Sequence, residues 1–99
     1  MIDKIGPNVK DFNIGDKVMG LTLSGSYSSQ ACIDVNSIIP LPESFTLREA
    51  AAFPVTYITA YMMMFDLGNL QENDTFLIHG AGGGVGTACL LYTSDAADE

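Results

Sequence analysis

Five glycines and an alanine crowd the stretch Ile78 to Gly86, IHGAGGGVG, directly behind the uninterrupted apolar run Thr75-Phe76-Leu77-Ile78-His79. A compact run of that kind suits a strand buried on both faces of a parallel sheet. A strand, a small-residue loop and then a helix is the context that a dinucleotide fingerprint requires. One small residue permits the tight turn, a second lets backbone N–H groups approach a pyrophosphate, and a third lets helix and strand pack closely. The helix then presents its positive end to the phosphates. The register that fits is Ala81-x-Gly83-x-x-Gly86, with alanine in the first place. Gly83 is the position expected to tolerate a side chain least, because a phosphate oxygen needs that space. No Gly-Lys-Ser/Thr follows, so a P-loop is excluded. Taken alone, the same glycines also suit a mobile or packing loop.

Composition sets the outer limits. Ninety-nine residues with 47 % hydrophobic content allow one modest domain with a core. Twelve Asp and Glu against four Lys and Arg would repel a phosphate backbone, so a nucleic-acid partner is disfavoured. Cys32 and Cys89 make neither a disulfide framework nor a metal cluster and suit a reducing compartment. Cys32 is expected to be a small buried hydrophobe. MIDKIGPNVK lacks a signal-peptide pattern. The apolar region Ala50 to Phe65 is interrupted by Pro54, Thr56 and Thr59, and on that ground is not expected to span a bilayer. The expectation is a cytoplasmic protein.

Residues 1 to 45 carry Gly, Pro and Asn at the spacing of short strands and tight turns. Met1 to Ile5, the run Lys17 to Gly20 behind the Gly15-Asp16 turn, and a stretch through Cys32 and Ile33 are candidate extended segments. Ile38 to Pro42 reads as an extended crossover, since each proline pushes its predecessor out of helical conformation. From Phe45 the pattern turns helical. Thr46-Leu47-Arg48-Glu49 fits a capping box, with a short helix expected to stop before Pro54. A second helix is expected from Pro54, with Val55, Ile58, Met62 and Phe65 as its apolar stripe and Gly68 as a left-handed cap.

The last eleven residues, CLLYTSDAADE, resemble a frame-shifted translation of a transposase adapter used in DNA sequencing libraries. Asp95, Asp98 and Glu99 would also face the negative end of a helix begun near Gly84. Residues 89 to 99 are therefore expected to be foreign and are set aside from the fold. Without them, 9 acidic residues stand against 4 basic ones.

GDKVMG at 15 to 20, IPLPESFTLREAA at 39 to 51 and IHGAGGGVGTA at 78 to 88 resemble, in order, the quinone-oxidoreductase branch of the medium-chain dehydrogenase/reductase family. Within that branch, YITAYMMMFDLGNL at 57 to 70 is most similar to the synaptic vesicle membrane protein (vesicle amine transport) group. The resemblance implies an α/β chain: a fragment joining the end of a GroES-like β-rich domain, residues 1 to 45, to the first helix-strand-loop units of a Rossmann domain, residues 46 to 88. It implies an NADPH-dependent oxidoreductase that passes hydride to a quinone or enone. The pyrophosphate of NADPH would lie on Ala81, Gly83, Gly84, Val85 and Gly86, with Thr59 near the nicotinamide. GDKVMG passes directly to LTLSGSY with no cysteine-rich lobe, so no structural zinc is expected. The implied partners are a small-molecule substrate, with room for peripheral association with vesicle or organelle membranes and for a homodimer of a full-length form. Gly82 departs from the alanine common in relatives, and Ser28-Ser29-Gln30 from their Ala-Glu-Tyr. No proton donor is assigned. The rival reading is a non-enzymatic vesicle or membrane-trafficking protein that keeps the nucleotide fold as a scaffold.

His79 is expected to be structural or solvent-facing. Met62-Met63-Met64, Tyr57 and Tyr61 are expected to pack in the core or at a domain interface.

Overall fold

The computed structural model describes residues 1–97. The chain divides into two compact units, Met1–Pro54 and Val55–Glu99. In the first, β1 (Val18–Gly20) pairs antiparallel with β2 (Ile38–Pro40), Met19 opposite Ile39. Leu41 N–H to Lys17 C=O at 2.9 Å and Leu21 N–H to Ser37 C=O at 3.2 Å extend the ladder at each end. Gly20 has to be glycine, because a Cβ there would collide with the Ser37 carbonyl and with Ile38. The expected crossover at Ile38–Pro42 thus begins as a strand. Its proline is tolerated because this is a two-stranded edge, where a missing donor costs least.

The Gly15-Asp16 turn forms as expected. Gly15 has φ +93°, and the Asp16 carboxylate accepts from Asn13 N–H at 2.8 Å. Met1–Ile5 is not a strand. It is held where Ile2 exchanges two hydrogen bonds with Asp16 and Gly15, and where Asp3 Oδ2 accepts from Gln30 Nε2 at 2.8 Å. The stretch through Cys32 is irregular, and Cys32 is exposed rather than buried. The serine upstream bonds locally, Ser28 Oγ donating to the carbonyls of Gly25 and Gln30. Such bonds offer the backbone an alternative to a ladder.

The capping box is present in full. Glu49 N–H donates to Thr46 Oγ1 at 3.2 Å, and Thr46 N–H donates to Glu49 Oε2 at 2.8 Å. The Thr46 N–H and then the Thr46 hydroxyl, both donating to the Glu49 carboxylate, hold that carboxyl below its usual range. Phe45, just ahead of the cap, lies 5.3 Å from the Phe53 ring.

The helix begun there does not stop at Pro54. α1 runs Leu47–Tyr61 with Pro54 inside it, followed by a π-helical turn over Met62–Leu67. Proline removes one donor to the carbonyl four residues back, yet the helix continues through it, with Pro54 and Ala50 both buried. Pro54, Thr56 and Thr59 therefore interrupt nothing. The helix Leu47–Leu67 is long and apolar enough to cross a membrane by length and composition.

Gly68 ends the π-turn in right-handed conformation (φ −80°), donating to Met63 C=O. The left-handed residue is Asn69, at φ +49°. Gly68 is small for a different reason from the one expected. A Cβ would lie 2.6 Å from Met63 O and 2.9 Å from Met64 O.

The second unit has its own core of Ala60, Met64, Ala88 and Cys89, with Tyr57, Leu70, Ile78, Val85 and Tyr92 packed around it. The latter half of α1 and the π-turn supply one wall. α2 (Gly84–Ala97) supplies another. The stripe expected to face the core, Val55, Ile58, Met62 and Phe65, is instead 63, 43, 46 and 37 % exposed. α2 covers the face carrying Tyr57, Ala60 and Met64, where the small Ala60 and the flexible Met64 admit a second helix and Tyr57 meets Tyr92 edge-on. Residues 89–97, set aside on sequence grounds, continue α2, and Cys89 is 4 % exposed. Tyr92 donates to the Tyr57 carbonyl at 3.3 Å and packs edge-on to Tyr57, Tyr61 and Phe65, with centroids 6.0–6.2 Å away. Met64 is buried, while Met62 and Met63 are exposed. Thr75–His79 is not a strand. Leu77 is 76 % exposed, and no other segment among the described residues pairs with this one.

Candidate functional site: a glycine cradle at the start of α2

The loop from His79 to Gly83 is shaped by two features. Gly80 takes φ +67°, and its carbonyl then accepts from Gly83 N–H at 3.0 Å. The first bond of α2 runs from Thr87 N–H to Gly83 C=O at 2.8 Å. The N–H groups of Gly84, Val85 and Gly86 thus stand ahead of the helical ladder, at its positive end. Thr87 Oγ1 reaches back to the Ala81 carbonyl at 3.4 Å and ties the loop to the helix.

The glycines have unequal duties. A Cβ on Gly82 would meet nothing, and on Gly83 only the Gly80 carbonyl at 3.3 Å. A Cβ on Gly86 would collide with the Gly80 carbonyl and lie 2.7 Å from Ala81 Cα. By packing, the most crowded position of the loop is therefore Gly86, whereas the expectation for Gly83 concerns the room a phosphate needs. Gly86 is the buried member of the loop, where helix and turn meet backbone to backbone.

Ala81, Gly83, Gly84, Val85 and Gly86 thus come together at one helix start. Thr59 sits half-buried on α1. One turn before it is Thr56, whose Cγ2 lies 2.8 Å from where a Gly84 Cβ would be. Sequence reasoning passed over Thr56 and Thr87. The repeat of threonine three residues apart, on one helix face, was the available signal for Thr56. His79 is exposed. Tyr57 and Tyr61 pack around Tyr92. Two depressions, of about 500 and 740 Å³, are lined by residues of the first unit.

No protein-family model matches the chain. It is 39 % identical over 88 residues to the human synaptic vesicle membrane protein VAT-1 homolog-like, an alignment covering 89 % of this chain and 21 % of that protein. The crystal structure of that human protein superposes with a TM-score of 0.86 at 38 % identity, over 92 % of this chain and 29 % of the other. Its homologues are VAT-1 synaptic vesicle membrane proteins, of the medium-chain dehydrogenase/reductase family. The chain spans about a fifth of the length of the VAT-1 relatives it matches. Its helices and small sheet match the fold of this family. A highly-reducing polyketide synthase of Aureobasidium melanogenum is 39 % identical over 99 residues, all of this chain and 4 % of that protein.

Proposed function

We propose that this segment belongs to a zinc-independent, NADPH-dependent oxidoreductase of quinone-reductase type, joining the end of a GroES-like domain to the start of a Rossmann domain. The observation that carries the reading is the helix start itself. Three backbone N–H groups precede the first bond of α2, and residues 82–84 carry no side chain to occupy a ligand's space. Such a terminus suits a pyrophosphate in both charge and shape. Ala81, Gly83, Gly84, Val85 and Gly86 would hold it, and Thr59 would border the nicotinamide. The nicotinamide supplies the hydride, and the chain's own part is to bind, orient and exclude water. A quinone or enone is the proposed acceptor, and the polyketide synthase relative, reducing by its name, supports a reductive reaction.

A second reading has its own observations: the vesicle-membrane names of the relatives and the apolar helix Leu47–Leu67. In it, the protein keeps the nucleotide fold as a scaffold and works at a vesicle surface.

The test is a fluorescence titration of NADPH against the full-length protein carrying this segment, with Gly83→Val and Gly82→Ala. A hydrogen bond to a charged group contributes roughly 1.5–3 kcal/mol, so displacing the phosphate should weaken binding by about tenfold or more. Gly82→Ala should bind like wild type. Equal affinity of wild type and Gly83→Val would mean a packing turn and would end the nucleotide reading. Tight NADPH binding without turnover of any quinone or enone would favour the scaffold.

A further inference from the structure

Gly84 is the first residue of α2, and its glycine is not explained by backbone conformation. The glycines with positive φ are Gly15, Gly25 and Gly80. At position 84 any residue could adopt the backbone, and alanine would be the better helix former. What forbids it is one atom. The Cβ would lie 2.8 Å from Thr56 Cγ2 and 3.7 Å from Thr56 Cβ, with no other heavy atom close enough to count. Gly82, two residues away, meets nothing at all.

We infer that Thr56 is a positioning residue for the glycine cradle: its γ-methyl sets how closely the start of α2 approaches α1. The inference rests on the nucleotide reading above. Threonine is a good stop for this purpose, since a β-branched side chain is stiff at χ1 and its methyl cannot retreat along a flexible stem. The contact lies at the Cα of Gly84, whose N–H is one of the three donors ahead of the ladder. On the α1 side it lies one helical turn from Thr59, on the same face. A single methyl thereby fixes the spacing between the two groups proposed to touch the cofactor. The contact with α2 is made by the methyl. Valine in the same rotamer keeps that methyl, so Thr56→Val should preserve the function, while loss of the methyl or gain of a Cβ at position 84 should disturb it.

The experiment compares wild type, Gly84→Ala, Thr56→Val, Thr56→Ser and the Gly84→Ala/Thr56→Ser pair, all in the full-length protein carrying this segment. Three quantities are read: the NADPH dissociation constant by fluorescence, the dissociation constant of adenosine 2′-monophosphate, which lacks the pyrophosphate, and the thermal midpoint without ligand. Gly84→Ala should weaken NADPH about tenfold while leaving adenosine 2′-monophosphate within about twofold. Thr56→Val should match wild type, and the pair should return to within about threefold of it. The thermal midpoint should fall with Gly84→Ala alone and not fall when the same change is made beside Thr56→Ser, since alanine is then free to favour the helix. Equal loss of both ligands in Gly84→Ala would make the contact merely structural and overturn the inference, as would failure of the pair to recover. Wild type that binds no NADPH would remove the nucleotide reading and this inference with it. Wild type that binds NADPH beside an unaffected Gly84→Ala would remove this inference alone.

Discussion

Between Met1 and Pro54, regular structure away from the start of α1 amounts to two three-residue strands and one short 3₁₀ turn, and Leu23 and Tyr27 stand fully in solvent. From Val55 onward, one helix packs on another, and Ala60, Met64, Ala88 and Cys89 are almost completely buried. Both regions are apolar enough for a core, so composition does not separate them. The difference lies in where the partners are. The second unit contains both walls of its core. The apolar side chains of the first have few partners among the described residues. Local hydrogen bonds shape the first unit, and shape-matched packing shapes the second. Substitutions should therefore fail differently in the two.

The largest effect is expected at Gly86. Alanine there drives a Cβ into the backbone of Gly80 and Ala81, and backbone cannot step aside as a side chain can. Overpacking of this kind costs about 1–3 kcal/mol, which lowers the thermal midpoint of a domain this size by roughly 4–8 °C per kcal/mol. Gly82→Ala, in open space, should stay within about 0.5 kcal/mol. In the first unit, Gly25→Ala also meets no atom, yet φ +80° strains it by about 1–2 kcal/mol. Thermal melts of the three variants test whether crowding governs one unit and dihedral strain the other. Equal midpoints for Gly86→Ala and Gly82→Ala would erase that distinction.

A somewhat smaller loss is expected from ending the chain at Ala88. On sequence alone the tail is foreign and dispensable. The packing assigns it work, since Cys89 lies in the core and Tyr92 meets three rings. Aromatic pairs contribute about 0.5–1.5 kcal/mol each, and Gly84 to Ala88 is too short to hold as a helix unaided. Far-UV circular dichroism of residues 1–88 should show less helix than the missing residues account for, because the latter half of α1 loses its cover. An unchanged per-residue helical signal would show that α1 and the glycine loop need no tail.

How legible was this in the sequence? The capping box at Thr46, the Gly15-Asp16 turn and the helix start behind the glycine loop could all be read, because each is decided within four residues. The stripe on α1 could not. Val55, Ile58, Met62 and Phe65 have the right period, but so does the face of Tyr57, Ala60 and Met64, and only the arrival of α2 decides between them. Thr75–His79 has the composition of a buried strand without neighbours in the described chain to make it one. Gly83 and Gly86 show a related limit. The motif marks both as glycine, and only the folded loop shows that Gly86 is wedged against two backbone residues while Gly83 has one tight neighbour, the Gly80 carbonyl.

The smallest effect belongs to the first unit and concerns pH. Glu49 accepts from the backbone N–H and then the hydroxyl of Thr46, and these bonds hold its carboxyl below its ordinary 4.5. A lowered folded value means that, in this range, the unfolded chain binds more protons than the folded one. The contribution of Glu49 is therefore complete above the ordinary value and is lost as pH falls through the lowered one. Protonation removes the charge that favours a helix N-terminus, while Thr46 still accepts from Glu49 N–H. Glu49→Gln should accordingly flatten the dependence of helix content on pH below about 4.5 without abolishing the cap, since glutamine also serves in a capping box. Thr46→Ala should cost about 0.5–2 kcal/mol at every pH, because it removes the acceptor itself. Circular dichroism between pH 7 and 2.5, at fixed ionic strength, separates the two variants. If Glu49→Gln keeps the full wild-type pH dependence, the titrating group lies elsewhere and the cap is held by Thr46 alone. The same titration of the Gly86→Ala protein should be displaced to lower helix content with an unaltered slope, because no ionisable group takes part in that contact.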